Sequence, residues 1–127
     1  MSQPVSATLL DAEALDRLRE LDPTGKSRLL ERVLRAFHSS ASRLAQQFRE
    51  ARKSEDMQGI RHVVHTLKSS SASIGAVALA RLCAEIENSI RTEVFAALPE
   101  RLDAMDRELA AVLQVVTPML APTDSPK

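Results

Sequence analysis

Apolar residues recur at steps of three and four along nearly the whole chain, and this period constrains the fold more than any other feature. An α-helix advances about 100° per residue, so such spacing gathers apolar side chains into one stripe on a helix. One long stripe carries Leu30, Val33, Leu34, Phe37, Ala41, Leu44 and Phe48, and the next Ile60, Val63, Val64, Leu67, Ser71 and Ile74. A third has Leu79, Leu82, Cys83, Ile86 and Ile90, and the last Leu98, Leu102, Met105, Leu109, Val112 and Val116. A shorter helix with Leu15, Leu18 and Leu21 precedes them, and the Asp11 carboxylate can cap its first turn.

The breaks fall where helices stop. Asp22-Pro23-Thr24-Gly25 ends the short helix, and the second segment fades into Lys53-Ser54-Glu55-Asp56. Gly75 is a natural C-terminal stop, Pro99 suits the first turn of a helix, and Pro118 ends the last stripe. Long amphipathic helices with short links predict an all-α protein, an antiparallel four-helix bundle with a short additional N-terminal helix. Neither an internal repeat nor a second domain is visible. Residues 1–120 read as one domain, and 121–127, with two prolines, as a flexible C-terminal tail.

Composition removes several function classes. Three Phe and no Tyr or Trp disfavour sheet sandwiches and leave little to stack on nucleic-acid bases. Lys plus Arg and Asp plus Glu both total 17, so the basic excess of a nucleic-acid binder is missing. One cysteine, Cys83, rules out an internal disulfide and a cysteine-built zinc site, and its place in an apolar stripe makes it a core residue. No apolar run approaches the roughly 20 residues of a membrane span, and Met1 to Ala7 lack the pattern of a signal peptide. The expectation is a cytoplasmic protein with no membrane contact.

One helix departs from plain core-and-solvent patterning. With Ile60 at zero, the apolar positions of its stripe lie within about 60°, whereas Arg61, His65, Lys68, Ser69 and Ala72 fall between about 80° and 180°. They form a strip beside the seam, with a cation one turn before His65 and another one turn after it. Small side chains at Ser69 and Ala72 leave the imidazole accessible to a partner. A neutral imidazole is a good nucleophile near neutral pH, and the two cations can offset the charge of an arriving phosphoryl group. His62, at about 200° on the same wheel, and His38 read as solvated. His62 and His65 stand three apart, but no carboxylate or further histidine completes a metal-ligand set, so no metal site is predicted.

The run His65-Thr66-Leu67-Lys68-Ser69-Ser70-Ser71-Ala72-Ser73-Ile74-Gly75-Ala76, followed by Leu79, Leu82-Cys83 and Ile86-Glu87, closely resembles the histidine-containing phosphotransfer (HPt) domain family. The signature looks like H-x-L-K-G-S-S-x-x-h-G-A-x-x-L, with h apolar. The order of a short helix and then a four-helix bundle is also similar. The resemblance implies a phosphocarrier in a two-component phosphorelay rather than an enzyme with its own turnover. His65 would be the phosphoacceptor, Lys68 the phosphoryl charge partner and Glu87 the residue that orients the imidazole, with Arg61, Ser69 and Ala72 on the docking surface. Partners would be receiver domains of response regulators and hybrid sensor kinases. The chain would carry no cofactor of its own, Mg²⁺ coming with the receiver, and would be a monomer. One position departs from the pattern: Ser69 stands where the family usually has the glycine that follows the lysine.

Two other classes compete. The dimerisation and phosphoacceptor helix pair of a sensor kinase would show an acidic residue and then a proline soon after the histidine, and an ATP-binding domain. Here Thr66-Leu67-Lys68 follow, and 127 residues leave no space for that domain. A docking module that binds receivers without carrying phosphate is the alternative, and the pairing of His65 with Lys68 argues against it.

Overall fold

The computed structural model describes residues 9–120. Residues 1–8 and the tail expected at 121–127 lie outside the described residues. The helices are α1 (Ala12–Glu20), α2 (Leu29–Lys53), α3 (Met57–Ser73), α4 (Val77–Thr92) and α5 (Leu98–Val116). A 3-10 turn, Thr117–Met119, follows, and there is no strand among the described residues. Links 54–56, 74–76 and 93–97 are too short for anything but a reversal of direction, so α2 to α5 run antiparallel. Each packs on its neighbours in a closed ring, α5 returning against α2, while α1 leans on α2.

The helix ends follow local chemistry. Asp11 accepts the Glu13 amide and starts α1, and Asp56 accepts the Gly59 amide at 3.0 Å and starts α3. Asp22 reaches forward from the end of α1, accepting the amides of Ser27 at 3.3 Å and Leu29 at 3.1 Å, and so caps α2 from seven residues back. Between α3 and α4, the Ala76 amide donates to the Ser71 carbonyl and the Gly75 amide to that of Ala72, a Schellman closure. Gly75 holds φ +79°, and a Cβ there would sit 2.9 Å from the Asp11 backbone and from the Ala14 side chain. Its carbonyl accepts the Asp11 amide at 2.7 Å, so the turn that ends α3 is also the seat of α1.

Where the stripes meet, Phe48, Leu34, Ile60, Leu67, Leu79, Ile86, Met105 and Leu109 are fully buried, each contributing roughly 1.5–3 kcal/mol. Ion pairs Arg52–Asp103 at 2.7 Å and Arg49–Asp106 at 3.7 Å join α2 to α5 at the surface. Ser89, buried on α4, accepts a hydrogen bond from Arg101 of α5 at 2.9 Å.

Three expectations are adjusted. Leu21 follows the last residue of α1 and is exposed, because only Ala14 and Leu15 of that helix face the bundle closely. Pro118 does not stop the chain abruptly; it sits in the 3-10 turn that tightens the end of α5. His38 is half-buried rather than solvated, with Nε2 3.1 Å from Thr117 Oγ1 across the α2 to 3-10 contact.

Candidate functional site

The buried side of α3 sets the rotation of the whole helix. Ile60, Val63, Val64, Leu67 and Ser71 all point into the core, so the opposite strip must face outward. Arg61, His65, Ser69 and Ala72 are exposed along it, and Lys68 is half-buried at its border with α4. The His65 side chain is 68% exposed, held up by the helix but not covered.

On α4, the burial of Cys83, Ile86 and Ile90 turns Glu87 towards α3. Glu87 is only 15% exposed and its two oxygens have different partners. Oε2 lies 2.7 Å from His65 Nδ1, and Oε1 accepts a hydrogen bond from Lys68 Nζ, also at 2.7 Å. An ionised carboxylate only accepts, so the Nδ1 of this contact carries the proton. The Lys68 hydrogen bond, with a smaller contribution from His65, holds the Glu87 carboxyl below the usual carboxylate range, outweighing its partial desolvation. Glu87 is therefore an anion at neutral pH. Beneath it, burial pushes the Cys83 thiol up to about 12, with Glu87 adding to the rise, so this cysteine is an inert core residue.

A concavity of about 270 Å³ opens beside the imidazole, lined by Gln58, Arg61, His62, His65 and Glu87. Two of these residues, Gln58 and His62, are not candidates on sequence reasoning. For Gln58 the signal was present, because the helical wheel puts it at about 160°, inside the strip. His62 lies just outside the strip and joins the concavity because it stands one turn before His65.

The structure thus brings His65, Lys68 and Glu87 into one hydrogen-bonded set, with Arg61 in the adjoining concavity. Ser69 and Ala72 stand further along the strip and touch none of these side-chain groups through a hydrogen bond. Lys68 has a partner that the sequence does not announce, since α4 supplies it. No group of three or more His, Cys, Asp or Glu able to hold a metal occurs among the described residues. No helix among them is long and apolar enough to cross a membrane. The arrangement is that of an exposed nitrogen nucleophile whose proton is parked on the other ring nitrogen, with cations on either side.

Residues 32–115 match the family model described as the Hpt domain. Among solved structures, the chain is similar to histidine-containing phosphotransfer protein B (HptB) from Pseudomonas aeruginosa PAO1. The identity is 29% and the TM-score 0.76, over 90% of this chain and 96% of that one. It shares its fold with the HPT domain of a sensor hybrid histidine kinase from Shewanella, at 21% identity and TM-score 0.72, over 88% of this chain and 93% of that one. Comparison with curated proteins finds no match. A family match over most of the chain, joined to the helical bundle and the exposed histidine midway along α3, establishes that the chain belongs to the Hpt domain family.

Proposed function

We propose that this protein is a phosphocarrier that takes a phosphoryl group from a receiver-domain aspartate onto His65 Nε2 and passes it to the aspartate of another receiver. Family membership supports a phosphotransfer role in two-component signalling. The single observation that carries the finer reading is the 2.7 Å contact between His65 Nδ1 and Glu87 on an otherwise exposed imidazole.

With Nδ1–H donated to Glu87, the lone pair of Nε2 faces outward and needs no base to free it. In the forward step Nε2 forms the N–P bond while the aspartyl P–O bond breaks, its electron pair leaving with the carboxylate. No proton moves. The ring, now phosphorylated and still carrying Nδ1–H, becomes cationic, and the Glu87 anion stabilises it. Lys68 offsets the charge of Glu87, so that the carboxylate does not repel the incoming group. Positioning and electrostatics do most of the work in phosphoryl transfer, so a carrier can be sparse. Mg²⁺ would come with the receiver. Arg61, Ser69 and Ala72 form the approach surface, and the protein works as a cytoplasmic monomer.

The test is incubation with phosphorylated receivers and detection of an acid-labile, base-stable phosphoryl group. One group per chain is expected, lost in His65→Gln and retained in His38→Gln, whose histidine lies on α2 against Thr117. A wild-type protein that binds receivers but never acquires label would make the bundle a docking module instead.

A further inference from the structure

Two cations flank His65, and the geometry points to a division of labour between them: we infer that Arg61 is the group that binds the phosphoryl oxygens on Nε2, while Lys68 is a positioning residue that acts through Glu87. This deepens the phosphocarrier reading and rests on it.

The placement of the ring carries the argument. Side chains on an α-helix tilt towards its N-terminus, so the imidazole of His65 leans over the turn that holds Arg61 and His62. That is where the concavity lies, and Arg61 lines it together with His65 while Lys68 does not. Glu87 occupies the Nδ1 edge of the ring, which leaves Nε2 on the far edge. Lys68, three residues further on, is committed to the same carboxylate, 2.7 Å from Oε1. To reach a phosphoryl group on Nε2 it would have to abandon a mostly buried anion. Arg61 has no such conflict. It is exposed, and its guanidinium has no ion-pair or hydrogen-bond partner among the described residues. Its planar fork suits two oxygens of one phosphoryl group, and long side chains four residues apart on a helix meet readily. A volume of about 270 Å³ leaves space for that group with water around it.

Phosphoramidate tests this without any receiver. Its P–N bond breaks as the Nε2–P bond forms, and ammonia leaves. Wild type, Arg61→Ala, Arg61→Lys and Lys68→Met would be compared for the rate of His65 phosphorylation and the lifetime of the phosphohistidine. The ring ¹⁵N signals of the resting proteins would be read alongside. Arg61→Ala should lower the rate or lifetime about tenfold or more with resting ¹⁵N signals unchanged, Arg61→Lys keeping part of the function. Lys68→Met should instead move the ¹⁵N signals away from the fixed Nδ1–H tautomer. Wild-type rates and lifetimes in Arg61→Ala, or a loss in Lys68→Met with the nitrogen signals unmoved, would overturn the assignment. A phosphorylated protein that obeys these expectations yet passes nothing to any receiver would count against the carrier reading and leave the subsite in place.

Discussion

Arg61 and Lys68 stand four residues before His65 and three after it, on the same strip of the same helix, and the bundle treats them differently. Lys68 lies on the side of the strip where α4 approaches, and Glu87 takes its ammonium. Arg61 lies about two turns earlier, where the surface opens into a concavity, and has no ion-pair partner among the described residues. The lesson is that equal charge at near-equal spacing does not make equal roles. A neighbouring helix turns one cation into part of the scaffold and leaves the other to the ligand.

The largest expected effect tests the strip beyond Lys68. Ser69→Arg adds bulk on the proposed docking surface, so labelling by a phosphorylated receiver should fall to background while thermal stability holds within about 0.5 kcal/mol. Labelling by phosphoramidate should persist, since that reagent needs no docking surface. Unimpaired labelling by the receiver would place docking elsewhere on the bundle.

Stability then separates the two cations directly. Lys68→Met leaves a carboxylate only 15% exposed without its principal partner. Lys68 itself is 40% exposed, which tempers the loss, so about 1 kcal/mol, or a few degrees in Tm, is expected in thermal denaturation. Arg61→Ala should cost less than about 0.5 kcal/mol. Equal losses would erase the contrast.

Glu87→Gln probes the link itself. The amide can still accept Nδ1–H but no longer binds Lys68 as an anion. Combining it with Lys68→Met should cost less than the sum of the single changes, with a coupling of about 0.5 kcal/mol or more in a double-mutant cycle.

The smallest effect is in pH. Folding lowers the Glu87 carboxyl below its ordinary value, so the stability it contributes is present above that ordinary value. It is lost as pH falls through the lowered one. The stability difference between wild type and Glu87→Gln, followed by denaturant unfolding, should therefore be flat near neutrality and shrink in acid. A difference that grew on acidification would mean that Glu87 is not held as an anion.

By itself the sequence determined the helices, their order and which side of each faces the core. Every buried position of α3 and α5 follows from steps of three and four, and Gly75 in the link after α3 is legible as a stop. It also determined that His65 would face outward, because a residue's angle around its own helix depends only on its spacing from the buried seam. Tertiary structure decided the rest. That Lys68 belongs to Glu87, that Glu87 lines the concavity beside His65, and that His38 meets Thr117 all depend on how far one helix is displaced along another and on which rotamers the contact permits. Leu21 shows the same limit, being in step with the apolar period of α1 yet exposed just past the end of that helix. Periodicity reports angle about one axis, while a site between two helices needs their relative offset, which no local spacing encodes.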